Sequence, residues 1–222
     1  MSKSKLITSG YIKSIVGASL FEDQAQKDIT TELLVNKNSI TSAKIVANED
    51  GIIGGLDFAE ESFKQIDKKT KFKKKIQEGS SIKKGEIIAE IKGLTGSILR
   101  FNLFDEIFIK DNHISASQNI FDLVQNALRL NRSGKIITVE VDNLTQLETI
   151  QSLNFNRLLL DNMKPDEIKK ALNMIGNKYE TEASGNITEK NIIDYAKTGV
   201  NRISIGRLTH SPQNLDISLN FN

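Results

Sequence analysis

From about residue 100 onward, the chain alternates between short β-branched or apolar runs and segments with helical spacing. The runs are FDEIFIK (104–110), KIITVEV (135–141), RLLLD (157–161), KYETEAS (178–184) and RISIG (202–206). Between them lie SQNIFDLVQNAL (117–128), NLTQLETIQSL (143–153), KPDEIKKALNMI (164–175) and ITEKNIIDYAKTG (187–199). Single helices between successive strands require a parallel sheet with right-handed crossovers. All the carboxyl ends of the strands then share one edge. Helix starts are expected at Asn143, at Pro165 and after Ile187; proline suits a first turn because its position has no intrahelical acceptor to lose.

That edge receives a consistent set of polar residues. Lys110, Glu140, Asp161, Ser184 and Gly206 stand at or next to five successive strand ends. In parallel β/α barrels these ends and the loops after them build the active site. Any one of the five has an ordinary structural explanation as a helix cap or ion pair. Their recurrence favours a site. The glycine-bearing SGN and IGR suit an anion, since small residues let backbone amides approach it and the following helix adds a favourable dipole. Ser184, Gly185, Asn186, Gly206 and Arg207 are therefore a candidate phosphate cradle, with Lys110 available for a second anionic group. Glu140 and Asp161 suit ribose hydroxyls or a Mg²⁺ ion accompanying a polyphosphate.

Residues 1–97 have a different character and are expected to form a separate small α/β domain, with 98–222 as the barrel-like domain. IKSIVGASLFEDQ and LDFAEESFKQI have helical spacing, SAKIVANEDGIIGGL alternates like a strand entering a glycine turn, and EGSSIKKGEIIAEIKG suggests short strands broken by turns. The basic run KKTKFKKK (68–75) is best explained as a turn and edge strand guarded by lysines. With 30 Lys+Arg against 28 Asp+Glu, the formal charge of +2 gives no reason to expect nucleic acid. The absence of cysteine rules out disulfides and thiol catalysis, and two histidines are too few for a histidine-rich metal site. No apolar run reaches the ~18 residues of a membrane span. A cytoplasmic protein without a membrane partner is expected.

Several strings together resemble the nicotinate-nucleotide pyrophosphorylase (carboxylating) family, the quinolinate phosphoribosyltransferases. They are DIT (28–30), IVANEDGIIGGL (45–56), LFDEIFIKDNHI (103–114), VEVDNLTQLE (139–148), LLLDNMKPDEI (158–168), EASGNIT (182–188) and ISIGRLTHSPQNLDISL (203–219). The resemblance implies an N-terminal α/β sandwich domain followed by an incomplete TIM-like α/β barrel, in a homodimer or higher homo-oligomer whose N-terminal domain helps close the partner's active site. It also implies transfer of phosphoribosyl from 5-phosphoribosyl-1-pyrophosphate to quinolinate with Mg²⁺, giving nicotinate mononucleotide, pyrophosphate and CO2. In that pattern Lys110 lines the substrate pocket, while Glu140 and Asp161 lie near the ribose and the metal-associated pyrophosphate. Ser184, Gly185 and Gly206 belong to phosphate-binding loops. His210 matches a histidine to which the resemblance gives no role here.

The chain departs from the family pattern between Leu99 and Arg100. The family carries several dozen further residues there, including a helix with a Glu-Arg-Thr-Ala-Leu-Asn-like motif, a strand ending in Thr-Arg-Lys-Thr, and a glycine-rich segment leading to His-Arg. Here Arg100 stands where the arginine of the last pair belongs, and Leu99 takes the place of its histidine. The missing groups would supply positive charge for a dicarboxylate and a pyrophosphate. Two alternatives to the parent activity follow: a shortened inactive homologue that binds phosphate ligands or dimerises, and a related phosphoribosyltransferase with another small acceptor.

Overall fold

The computed structural model describes residues 7–24, 27–99, 106–117 and 119–206. They fall into two compact units, Met1–Lys135 and Ile136–Asn222.

The first unit opens with α1 (Ser9–Glu22), started by the Thr8 hydroxyl, which accepts from the Tyr11 amide at 3.2 Å. Ile12 and Val16 on one face of α1 are buried, and α1 packs against α3 (Leu56–Ile66). Between them, α2 (Ile29–Leu34) is capped by Asp28, whose carboxylate accepts from the Thr31 amide at 3.0 Å and the Thr31 hydroxyl at 2.7 Å. Strands β1 (Ile40–Val46), β3 (Lys71–Lys74) and β5 (Ile87–Leu94) form an antiparallel sheet in the order β1-β5-β3. A short ladder joins β2 (Gly51–Ile52) to β4 (Ser81–Ile82). Ala47, Leu56, Ile82 and Ile88 form a core cluster between these elements.

The lysine run behaves as a guarded edge. Strand β3 is an outer strand, Lys74 pairs with Asp57 and Glu60, and Lys75 reaches Glu90 at 2.8 Å. Partly exposed pairs of this kind contribute little stability.

The same unit continues through α4 (Thr95–Leu99), β6 (Ile107–Ile109), α5 (Asp111–Ser117) and α6 (Ile120–Leu130). Helix α6 buries Ile120, Leu123, Val124 and Ala127, the i, i+3, i+4, i+7 stripe that its sequence implies. Among the described helices of this unit, α2, α4 and α5 each span fewer than two full turns and are too short to display an apolar repeat. The DNHIS segment after β6 is one of them, and it leaves the strand as a helix.

In the second unit the expected alternation is realised as β7 (Ile137–Val141), α7 (Leu144–Ile150), β8 (Arg157–Asp161), α8 (Pro165–Ile175), β9 (Glu180–Ser184), α9 (Ile192–Ala196) and β10 (Arg202–Ile203). The strands are hydrogen-bonded neighbours in the order β10-β9-β8-β7, and every pair is parallel. The fold is thus α/β, and its C-terminal part is a parallel β/α succession. Val139, Val141, Leu158 and Leu160 are fully buried, as strands covered on both faces require.

Helix α7 starts where expected, because the Asn143 side chain accepts from the Gln146 amide at 2.9 Å, and Pro165 opens α8. Helix α9 starts later than Ile187. Asn191 Oδ1 accepts from the Thr188 amide at 2.7 Å and Asn191 Nδ2 donates to the Asn186 carbonyl at 3.1 Å, so residues 187–190 form a side-chain-stabilised turn. No helix among the described residues is long and apolar enough to cross a membrane.

A candidate active site at the carboxyl ends of the parallel strands

The two ends of β7–β10 are built differently. At the amino ends, Glu180 accepts from Arg157 Nε at 3.1 Å and from Arg202 Nε at 2.6 Å. Two asparagines complete the backbone there. Asn156 Oδ1 takes the Ile137 amide at 2.8 Å, and Asn201 Oδ1 takes the Thr181 amide at 2.8 Å. The arginines on Glu180, Arg157 foremost, hold its carboxyl below the ordinary range. Opposite charges meet and polar groups find partners at this end.

At the carboxyl ends, like charges are gathered instead. Glu140, Asp142 and Asp161 each bring a carboxylate oxygen to within 4.8 Å of the other two. Glu140 is on β7, Asp142 just follows it, and Asp161 closes β8. Glu140 and Asp142 are two residues apart, so the strand pleat directs both to one side. Opposite oxygens around an octahedral Mg²⁺ lie about 4.2 Å apart, and that ion takes oxygen ligands. The three carboxylates are the donor type that such an ion takes. Asp142 was not among the residues expected from the sequence, although its spacing from Glu140 was the available signal.

Beside the carboxylates the backbone turns sharply. Asn162, Gly185 and Asn186 have φ of 55°, 84° and 54°, all in the left-handed region. Asp161 faces Ser184 across the β8–β9 ladder, and the Asn162 amide donates to the Ser184 carbonyl at 3.0 Å. Asn162 also accepts from Asn186 Nδ2 at 2.9 Å through Oδ1 and donates through Nδ2 to Asp161. A Cβ on Gly185 would stand 2.3 Å from Asn162 Oδ1 and 2.6 Å from Asn162 N. Only glycine fits there. Asp161, Ser184, Gly185 and Asn186 are thereby locked into one corner of the sheet edge.

The remaining expected residues are distributed as follows. Gly206 is exposed in a turn after β10, the strand next to β9. Lys110 belongs to the first unit, where it directly follows β6; its ammonium lies 4.9 Å from the centroid of the Phe108 ring, a cation–π distance. Its amide donates to His113 Nδ1 at 3.2 Å. Arg100, Arg207 and His210 lie outside the described residues.

A parallel β/α sheet with clustered acids and a fixed glycine turn at its carboxyl edge defines an α/β protein with an enzyme-like site. The family can be stated outright. The family profile "Quinolinate phosphoribosyl transferase, C-terminal domain" matches residues 89–220, and the corresponding N-terminal domain matches 28–102. The chain belongs to the quinolinate phosphoribosyl transferase family, a family of enzymes.

Among its relatives, the probable nicotinate-nucleotide pyrophosphorylase (carboxylating) of Bacillus subtilis (strain 168) is 26% identical, with 94% of this chain and 92% of the relative covered. The protein of the same description from Methanocaldococcus jannaschii is 40% identical over 57% of this chain and 47% of its own length. The solved nicotinate-nucleotide pyrophosphorylase of Francisella tularensis aligns over 96% of both chains with 26% identity and a TM-score of 0.46. The Bacillus alignment has 268 positions and this chain 222 residues, so at least 46 positions (268 less 222) of that relative face no residue here. A shortening of the family pattern is therefore real.

Proposed function

We infer that this chain is a carboxylating nicotinate-nucleotide pyrophosphorylase, joining quinolinate to 5-phosphoribosyl-1-pyrophosphate on the route to NAD. The observation that carries this reading is the matching of both family domains in order along the chain. In the reaction the ribose C1–oxygen bond to pyrophosphate breaks and a bond to the quinolinate ring nitrogen forms. The ring carboxylate beside that nitrogen then leaves as CO2, the bonding electron pair stays on the ring carbon next to the cationic nitrogen that stabilises it, and that carbon takes a proton. Pyrophosphate departure develops positive charge at C1 and negative charge on the leaving group. Fixed groups aimed at those charges lower the barrier.

In this reading Lys110, Glu140 and Asp161 carry the chemistry. Lys110 neutralises an anionic group of a substrate, and Glu140 and Asp161, joined by Asp142, orient the ribose and hold Mg²⁺. When bound there, Mg²⁺ would neutralise charge on the pyrophosphate. Ser184, Gly185, Asn186, Gly206 and Arg207 hold phosphate, with Arg100 as a further anion contact. The working protein is a cytoplasmic homo-oligomer, most simply a homodimer.

Purified protein incubated with quinolinate and 5-phosphoribosyl-1-pyrophosphate should release nicotinate mononucleotide and CO2 when Mg²⁺ is present and not when it is chelated. No product across a wide range of enzyme concentration would reject the activity. A second reading rests on the positions of the Bacillus relative that have no counterpart here: a shortened homologue that binds phosphate ligands without turnover. Nicotinate mononucleotide binding without product formation under the same conditions would select it.

A further inference from the structure

His113 is the unexpected member of the KDNH string. It is 3% exposed, buried on the short helix that follows β6, and does not extend into solvent. Its turn is tied to Lys110. The Lys110 amide donates to His113 Nδ1 at 3.2 Å, and the Lys110 carbonyl accepts from the amides of His113 at 3.0 Å and Ile114 at 3.1 Å. Both backbone groups of Lys110 are thus held by the first turn of α5. The strand before it is held from α2, where buried Thr30 accepts through its hydroxyl from the Phe108 amide at 2.9 Å. The Phe108 ring in turn lies under the Lys110 ammonium.

We propose that His113 is a positioning residue for Lys110, acting through the hydrogen bond from the Lys110 amide to its Nδ1. This rests on the reading of Lys110 as an anion-binding group. An imidazole whose Nδ1 accepts is neutral and carries its proton on Nε2. Burial pushes the His113 ring below its ordinary 6.5. Asp28 opposes that shift, Lys110 adds to it, and Asp111 opposes it. Helix α4, also packed against α5, has no titratable side chain. On α6, Asp122 accepts from Asn119 and Arg129 donates to Asn126. Protonation would turn Nδ1 from acceptor into donor, facing the Lys110 N–H, and release the backbone that aims the lysine.

Two amide substitutions separate this role from general packing. In His113→Asn the side-chain oxygen takes the place of Nδ1; in His113→Gln it takes the place of Nε2. Steady-state turnover of quinolinate and quinolinate affinity by calorimetry are measured for both variants from pH 5 to 8. The expected result is that His113→Asn keeps kcat/KM and affinity within about threefold and loses an acid limb that the wild-type chain shows below pH 6.5. His113→Gln should fall by about 10- to 100-fold, the size of loss that a misplaced reacting group produces. Thermal melts of both variants check that each is folded. Equal values for the two amides, or an unchanged acid limb in His113→Asn, overturn the proposal. A chain that binds quinolinate without turnover rejects phosphoribosyl transfer but still decides the role of His113 through affinity. A chain that neither binds nor turns over rejects both.

Discussion

The amino and carboxyl ends of β7–β10 are cut from the same strands and differ in how their charges are settled. At the amino ends Glu180 sits between Arg157 and Arg202, and asparagine side chains complete the ladders. At the carboxyl ends three carboxylates crowd together beside a turn of left-handed residues. The first arrangement stabilises the folded chain. In the second, Asn162 and Asn186 hold left-handed conformations that residues other than glycine populate sparsely. The amino ends are closed by their own side chains, and the carboxyl ends carry the residues to which the proposed function gives ligand roles.

The largest expected effect tests that division at Asp161. Asp161→Asn should lower kcat/KM by roughly a hundredfold or more, while urea unfolding shows a stability within about 0.5 kcal/mol of the parent chain, as for a substitution outside the core. A variant that loses stability along with activity would place Asp161 in the structural half. Gly185→Ala comes next, because the added methyl meets Asn162 at a position that already has φ of 84°. It should destabilise by about 3 kcal/mol and remove activity with it. A melt within a degree or two of the parent chain would show that the corner is not locked.

Metal dependence sharpens the comparison further. Mg²⁺ at ten times its Kd should stabilise the wild-type chain by about 1.4 kcal/mol, and Glu140→Gln or Asp142→Asn should abolish that thermal shift. The same shift in both variants would mean that the ion is held elsewhere.

The smallest effect belongs to the amino ends. Arg157, and then Arg202, depress the Glu180 pKa, so the stability this carboxylate contributes is present above its unfolded value of 4.5 and is lost as pH falls through its lower folded value. Glu180→Gln should leave kcat unchanged at neutral pH and flatten the dependence of melting temperature on pH below 4.5. A change in kcat there would break the assignment of that end to structure alone.

How much of this was legible beforehand differs from residue to residue. The strands RLLLD and KIITVEV announce themselves because parallel strands covered on both faces must be apolar at nearly every position. Asp161 stands out because it terminates such a run, and Ser184 because it closes the next strand. Asp142 was passed over beside Glu140, although period-two spacing puts both on one side of the strand. The start of α9 was misplaced because Asn191 captures the Thr188 amide, a choice between side-chain and helical hydrogen bonding that the sequence leaves open. His113 stands in the sequence only as a member of LFDEIFIKDNHI, and its burial on α5, a helix too short to display a period, is decided by packing.

The sequence by itself determined the strand–helix alternation of the C-terminal part, the parallel pairing it requires and the edge to which the strand ends come. Those properties follow from local periodicity and from the chirality of the chain, which any window of residues already contains. Only the tertiary structure decided which side chains meet on that edge. The approach of Asp161 to Glu140 and Asp142 and the contact that reserves position 185 for glycine depend on strand register, twist and packing between segments distant in the chain. Distances of that kind are fixed by how the elements pack together, and no single stretch of sequence holds the information.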